Sequence, residues 1–147
     1  MRNETKAERA ARYAAKDVTA KLGVKPGFLV RVVGTGDAAL LKRVRDKIGR
    51  AFARQNERAN IILYYPRTFA EITPTLTRLV RALAPNGGIW VITFKKNKGA
   101  PYIPDSQLIP AGLAAKLVDN KICSVSDSMS AMRFVIRKDD RRRTIDR

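Results

Sequence analysis

Three short apolar runs, alternating with stretches of helical periodicity, constrain the fold of this chain more than any other feature of its sequence. The runs are FLVRVV at 28–33, NIILYY at 60–65 and GGIWVITF at 87–94. Each contains β-branched or aromatic residues and adjoins a glycine or a proline, as buried strands commonly do. Strands that alternate with helices form parallel sheets with right-handed crossovers. We therefore expect three parallel strands in a layered α/β domain.

The C-terminal part of the chain carries a different pattern. KICSVS at 121–126 and MRFVIRK at 132–138 are joined by the short turn DSMS, and strands joined so closely pair antiparallel. The residues before them, 106–118, predict a short helix that starts near Pro110. The expected fold class is a three-layer, Rossmann-like α/β sheet, mostly parallel, with a C-terminal antiparallel hairpin at one edge.

The chain length suits one domain with basic ends, because 147 residues can bury one substantial core. Residues 1–22 predict a basic N-terminal helix, in which Thr5 and Glu8 have the spacing of a capping box. Residues 23–138 form the expected single Rossmann-like domain, since no internal repeat is present. The tail at 139–147 has no apolar pattern, and we expect it to be flexible.

The segments between the apolar runs predict the helices of the crossovers. Residues 37–55 carry an apolar face at helical spacing, made of Leu41, Val44, Ile48 and Phe52. Gly49 interrupts this segment, which leaves open whether residues 50–54 continue the helix or form a short edge strand. A helix after the second run contains Pro74, which suits its first turn.

The residue types that carry much of enzyme chemistry are scarce in this chain. It has 0 histidines and 1 cysteine, Cys123. Without histidine, the usual neutral-pH base, a serine–histidine pair and a structural zinc site are excluded within the chain. No pair of carboxylates is spaced for acid–base work. We therefore expect no catalytic residue and no metal site.

Cysteine content and apolar run lengths also bear on location. A lone cysteine excludes intramolecular disulfides and fits a reducing cytoplasm. The longest apolar runs are too short to cross a bilayer, and no signal-peptide pattern opens the chain. We therefore expect a cytoplasmic protein without membrane contact.

A large excess of positive charge is the outlier of the composition. The chain has 30 Lys and Arg against 13 Asp and Glu, a formal net charge of +17. Such an excess favours polyanions, because each phosphate contact releases counterions. We expect weak, non-specific binding to nucleic acid or another polyanion, with a merely solubilising surface as the alternative. The candidate contacts are Arg43, Lys47, Arg50, Arg54, Lys95, Lys96 and Lys98.

A glycine turn follows the first apolar run and opens the first helical segment, as in dinucleotide-binding folds. In GTGDAALL the glycines are Gly34 and Gly36, but no acidic residue ends the second run to hold a ribose. Asp37 also places a negative charge where a phosphate would lie. We therefore expect the glycines to serve the turn and no cofactor to bind, with S-adenosylmethionine or a nucleotide as the alternative. The candidate cofactor contacts are Gly34, Gly36, Tyr65, Lys95 and Lys96.

Two longer stretches resemble class I methyltransferases. LVRALAPNGGIWVITFKK is similar to the helix, turn and strand late in the core of those enzymes, and KPGFLVRVVGTG resembles the start of that core. Such enzymes usually have an acidic residue two before the first glycine, where this chain has Val32. They also have a third glycine where this chain has Ala38. The resemblance implies a methyltransferase-like shell without the residues that grip the cofactor.

A closer resemblance is to a small bacterial family catalogued as domain of unknown function 3052. It covers residues 20–33 and most of 59–141, including AKLGVKPG and LVDNKICSVSDSMSAMRFVIRKDDR. The last block is the most specific, with Lys-x-Cys-x-Val, a short polar turn and Arg-Phe-Val. The chain departs from the family in the turn at 128–130 and in GTGDAALL. The resemblance implies a small Rossmann-like domain and leaves its activity open.

These observations together predict a cytoplasmic, non-catalytic binding or regulatory module with a Rossmann-like fold. One alternative is a methyltransferase-like enzyme with a degenerate cofactor site. The other is a non-specific, nucleic-acid-associated basic protein. The sequence alone names neither the ligand nor the oligomeric state.

Overall fold

A computed structural model describes residues 5–8 and 18–140. Within the first range, the backbone N–H of Thr5 donates to Glu8 Oε2 at 3.1 Å, and the Glu8 N–H donates to Thr5 Oγ1 at 3.0 Å. These reciprocal bonds are the predicted capping box. The rest of the predicted N-terminal helix up to residue 17, and residues 141–147 of the predicted flexible tail, lie outside the described residues.

The described chain forms a five-stranded mixed sheet in the order β1-β2-β3-β5-β4. β1 to β3 pair in parallel, and β3, β5 and β4 pair antiparallel, so the predicted parallel strands and edge hairpin are confirmed. The elements are β1 (Val30–Val33), α1 (Ala38–Ile48), β2 (Ala59–Tyr64), α2 (Ile72–Leu79), β3 (Leu83–Phe94), α3 (Asp105–Ala114), β4 (Leu117–Ser124) and β5 (Met129–Ile136).

Helices cover both faces of the sheet, which gives the predicted three layers. On one face, α1 packs its buried residues Leu40, Val44 and Ile48 against the sheet, together with the helical residues 18–21. On the other face, α2 and α3 pack against the alternate residues of the same strands. We call these the α1 face and the α2 face. Strand residues buried on both sides explain the continuous apolar runs of the sequence.

The connection from β1 to β2 is longer than a simple crossover. α1 ends at Ile48, and Gly49 follows in the left-handed conformation that closes many helices. The Ala53 N–H then donates to the Val30 carbonyl at 2.7 Å, on the side of β1 that faces away from β2. Residues 50–54 therefore do not continue the helix, and they do not form the alternative edge strand either: they are an extended segment joined to β1 by this backbone bond. This detour lets α1 and α2 lie on opposite faces although the strands advance in one direction.

Two predicted boundaries are wrong for reasons of tertiary pairing. β3 begins at Leu83, four residues before the predicted run at 87–94, and a register shift opposite Ala59–Ile61 accommodates Pro85 in it. Pro110 does not start α3 but lies within it. The helix begins earlier, with Asp105 in its first turn, where a carboxylate is favourable.

Candidate functional site

The glycine turn after β1 is shaped by packing against the end of β2. Gly34 and Gly36 have φ values of +99° and +78°, a region that side chains disfavour. A Cβ at Gly34 would collide with the Tyr65 carbonyl oxygen, and one at Gly36 would come within 2.6 Å of the Leu41 side chain. Both glycines are therefore explained by the turn and its packing, as the sequence predicts.

Asp37 supplies the charge at this turn. Its side chain is the N-cap of α1 and accepts a hydrogen bond from the Ala39 N–H at 3.0 Å. A carboxylate is stabilising at a helix N-terminus and repels a phosphate that approaches the same place. The turn is therefore poorly suited to a phosphate but suits a cationic group or a sugar hydroxyl.

Tyr65 brings a second polar group beneath the same turn. Its side chain is 8% exposed, and its hydroxyl has no hydrogen-bond partner among the described residues. Burial raises the pKa of Tyr65 to about 12; the nearby Asp37 backbone, which is outside hydrogen-bond geometry, lowers it, and the Asp37 carboxylate raises it. A buried hydroxyl without a partner costs about 1–3 kcal/mol. This hydroxyl, protonated at neutral pH, is an unused donor beside Asp37.

The loop after β2 is held by one carboxylate. Glu71 Oε1 accepts from the N–H groups of Arg67 at 2.8 Å and Thr68 at 2.9 Å, and its Oε2 accepts from the Tyr64 hydroxyl at 3.0 Å. Burial works against the charged form, but these three bonds lower the pKa of Glu71. The sequence analysis missed this residue, although its position just before α2 is a signal of a helix start.

The lysines after β3 lie at the carboxyl ends of the parallel strands, as do the 34–37 turn and Tyr65. We call this end of the sheet the carboxyl edge. Lys95 Nζ donates to Ser124 Oγ at 2.8 Å, and Lys98 Nζ lies 3.7 Å from Asp127. Both side chains are therefore tied to the β4–β5 hairpin. Lys96 is exposed. The predicted cofactor contacts do share one edge, but the structure leaves Lys96 as the lysine most open to a ligand.

The predicted nucleic-acid contacts on and after α1 differ in their environment. Arg43 and Arg54 are exposed. Lys47 is half-buried and donates to Thr19 Oγ1 at 3.4 Å, while Arg50 donates to the Gly27 carbonyl at 3.3 Å. Their binding to a polyanion stays a prediction, and Arg43 and Arg54 are the better placed for it.

Cys123 behaves as the sequence suggests for a structural thiol. It is half-buried against the α1 face, and burial raises its pKa despite the nearby positive charges of Lys21 and Lys121. A raised pKa lowers the thiolate fraction and hence the reactivity. In the described part of the chain, no three His, Cys, Asp or Glu side chains come together as metal ligands.

The structure resembles solved methyltransferases. A methyltransferase from Aquifex aeolicus that depends on S-adenosylmethionine superposes with a TM-score of 0.61 at 14% identity, covering 91% of this chain and 98% of that one. Magnesium protoporphyrin IX methyltransferase from Synechocystis, with S-adenosylmethionine bound, gives 0.53 at 11% identity over 87% of this chain and 78% of that one. The fold is thus a methyltransferase-like Rossmann fold.

The same fold also serves another reaction. A pericyclic reaction enzyme superposes with a TM-score of 0.59 at 13% identity, over 82% of this chain and 47% of that enzyme. No family model and no curated protein sequence matches the chain, so the resemblance to domain of unknown function 3052 is not confirmed. At such low identities the solved structures establish the fold and leave the reaction open.

The comparisons correct the expectation that no cofactor binds. Neighbours in fold include a methyltransferase with S-adenosylmethionine bound, which is evidence against that expectation. They likewise favour the methyltransferase-like alternative over the non-catalytic binding module. A separate finding concerns the membrane: none of the helices in the described ranges has the length and apolarity to span one.

Proposed function

We propose that this chain is a methyltransferase-like protein that binds S-adenosylmethionine at the carboxyl edge of its sheet. The observation that carries the proposal is the match to an S-adenosylmethionine-dependent enzyme over nearly the full length of both chains. The turn at 34–37 supports it, because this donor carries positive charge and no phosphate. Asp37 would thus attract this cationic donor, whereas it would repel the phosphates of a nucleotide.

The residues of the turn fit the donor in part. Asp37 offers a carboxylate to its ammonium or ribose hydroxyls, and the Tyr65 hydroxyl lies beneath the turn as a further donor. No acidic residue ends β2, and an extended segment, 51–54, occupies the outer edge of β1. The expected affinity is therefore modest.

The scarcity of acid–base residues does not exclude methyl transfer. The bound cofactor supplies an electrophilic methyl group, and the reaction depends chiefly on the alignment of donor and acceptor. In this chain Glu71 holds the 67–68 loop, Lys95 holds the hairpin turn, and Lys96 remains exposed to attract an anionic acceptor. We assign the protein to the cytoplasm in this proposal, because its lone thiol fits a reducing compartment.

Thermal shift and calorimetry with S-adenosylmethionine and S-adenosylhomocysteine test the proposal. A saturable rise in melting temperature is expected, since a ligand at 100 times its Kd adds about 2.7 kcal/mol to the free energy of unfolding. Asp37→Asn keeps a capping side chain but loses the charge, and we expect it to weaken binding about tenfold or more. Asp46→Asn, an exposed carboxylate on α1, is the matched control.

Tyr65→Phe is a second test of the proposal, because this variant keeps the Asp37 cap of α1 intact. Because the hydroxyl has no partner among the described residues, its removal should leave the melting temperature of the free protein unchanged or raised. Weaker binding by this stable variant would support the proposed contact. Absence of any shift with either compound at millimolar concentration would refute the proposed function.

A further inference from the structure

A second candidate site lies on the α1 face, toward the end of the sheet where the parallel strands begin. It is a cavity of about 280 Å³ between the segment after helical residues 18–21 and strands β2 to β5. A water molecule takes roughly 30 Å³ of liquid volume, so the cavity has room for a small anion with some of its water. It is separate from the carboxyl edge and does not depend on the proposed function.

The charged side chains that line this cavity are all cationic. They are Lys21, Lys25, Lys121 and Arg133, and no acidic residue is among the described residues of its lining. Two of them, Lys121 on β4 and Arg133 on β5, are direct cross-strand partners. The register therefore brings two positive charges to the same part of the cavity wall.

Arg133 is positioned by the strand beside it. It pairs in register with Trp90 of β3, and a Cβ at Gly88, two residues earlier, would lie 2.6 Å from its guanidinium carbon. The absence of a side chain at Gly88 thus lets the guanidinium lie against the β3 backbone. Arg133 thus lines the cavity beside the β3 backbone.

Lys21 and Lys25 lie in the segment that packs on the same strands and line the same cavity. The Trp90 indole N–H donates to the Leu22 carbonyl at 3.0 Å, and both residues are almost fully buried. This bond fixes the segment that carries Lys21 and Lys25 above the strands. The cations therefore converge on one cavity from three separate parts of the chain, which a surface that is basic only for solubility does not require.

We propose that this cavity binds the phosphate groups of a small phosphorylated ligand, of the size of a diphosphate. Arginine matches phosphate oxygens with two parallel hydrogen bonds, and lysines add point charges around them. Three to four cations suit a ligand that carries more than one negative charge. The site is open to solvent, since Lys25 and Lys121 are exposed, so binding weakens with added salt.

Calorimetry with pyrophosphate, in low salt and without phosphate buffer, tests the site on the full chain. We expect one pyrophosphate per chain, and a Kd raised about tenfold or more in the Lys25→Gln/Lys121→Gln variant. The control, Lys6→Gln/Lys138→Gln, removes the same charge from two exposed positions outside the cavity and should bind as the wild type does.

A nucleic-acid arm separates the two sources of phosphate. A short single-stranded oligonucleotide is titrated into the same three proteins. If only oligonucleotide binding depends on Lys25 and Lys121, the small-ligand proposal is overturned in favour of a nucleic-acid backbone contact. Equal loss of pyrophosphate affinity in the cavity variant and the control also overturns it, because net charge would then explain the binding.

Discussion

Glu71 shows how one carboxylate organises the loop between β2 and α2. It accepts two backbone bonds and one from Tyr64, whose side chain is 1% exposed. Burial, together with the nearby Glu71 carboxylate, raises the pKa of Tyr64, which therefore remains a donor at all ordinary pH values. The loop conformation thus rests on the ionised form of Glu71.

The stability of the protein should depend on pH through this carboxylate. Because its pKa is lowered by folding, Glu71 contributes stability above the ordinary value of 4.5, and the contribution is lost as pH falls through the folded-state value. Glu71→Gln should cost about 1–2 kcal/mol at pH 7. Urea denaturation of both proteins from pH 7 to pH 3 should show this difference shrinking.

Glu57→Gln is the comparison for that experiment. Glu57 accepts a backbone hydrogen bond from the Arg54 N–H at 2.8 Å, whereas Glu71 accepts three bonds, so substitution of Glu57 should cost less. A Glu71→Gln difference that stays constant across this pH range would show that the ionised carboxylate is not what stabilises the loop.

At the scale of elements, α3 approaches the sheet through a glycine. Gly112 faces Phe134 of β5, which is fully buried, and a Cβ at Gly112 would collide with its ring. Helix propensity alone favours alanine over glycine by about 1 kcal/mol. Overpacking of a core typically costs about 1–3 kcal/mol, and here the neighbour is a rigid ring.

We therefore expect Gly112→Ala to destabilise the protein by about 1–2 kcal/mol in spite of its helix propensity. Phe134→Leu should reduce that cost when the two changes are combined, and a double-mutant cycle of denaturation free energies measures the coupling. A gain in stability on Gly112→Ala alone would mean that α3 shifts freely on the sheet.

At the scale of the whole molecule, the excess of positive charge is spread over several surfaces. Some of it is already engaged in the fold, since Lys47 and Arg50 donate to Thr19 and to the Gly27 carbonyl. Arg43 and Arg54 remain exposed. Contacts of this kind position a polyanion without reading its sequence.

We expect non-specific binding to nucleic acid, with affinity that falls linearly on a log–log plot against salt. Arg43→Gln/Arg54→Gln should reduce the slope by about 2, because each phosphate contact contributes about 0.9. Fluorescence anisotropy with two unrelated duplexes and one single strand measures it, and Lys6→Gln/Lys138→Gln serves as the control. More than tenfold discrimination between the duplexes would contradict non-specific binding.

The strands were predictable because short β-branched runs bounded by glycine or proline form buried strands. Their parallel pairing was predictable because the runs alternate with helical segments. The capping box of Thr5 and Glu8 and the early position of Pro74 in α2 were equally local, whereas the end of α1 at Gly49 was one of two alternatives that the sequence left open. Their physical causes act within a few residues, so the sequence displays them.

Only the tertiary structure decided the rest. β3 begins at Leu83, before the predicted run, because a shifted register on β2 admits Pro85, and Pro110 lies inside α3 because the helix begins earlier. The unpartnered Tyr65 hydroxyl and the facing cations of Lys121 and Arg133 arise from residues far apart in the chain. The sequence by itself determined the type and order of most elements, since these depend on local pattern and residue type. Which polar groups meet at each edge of the sheet depends on register and on close approach across strands, which no single segment encodes.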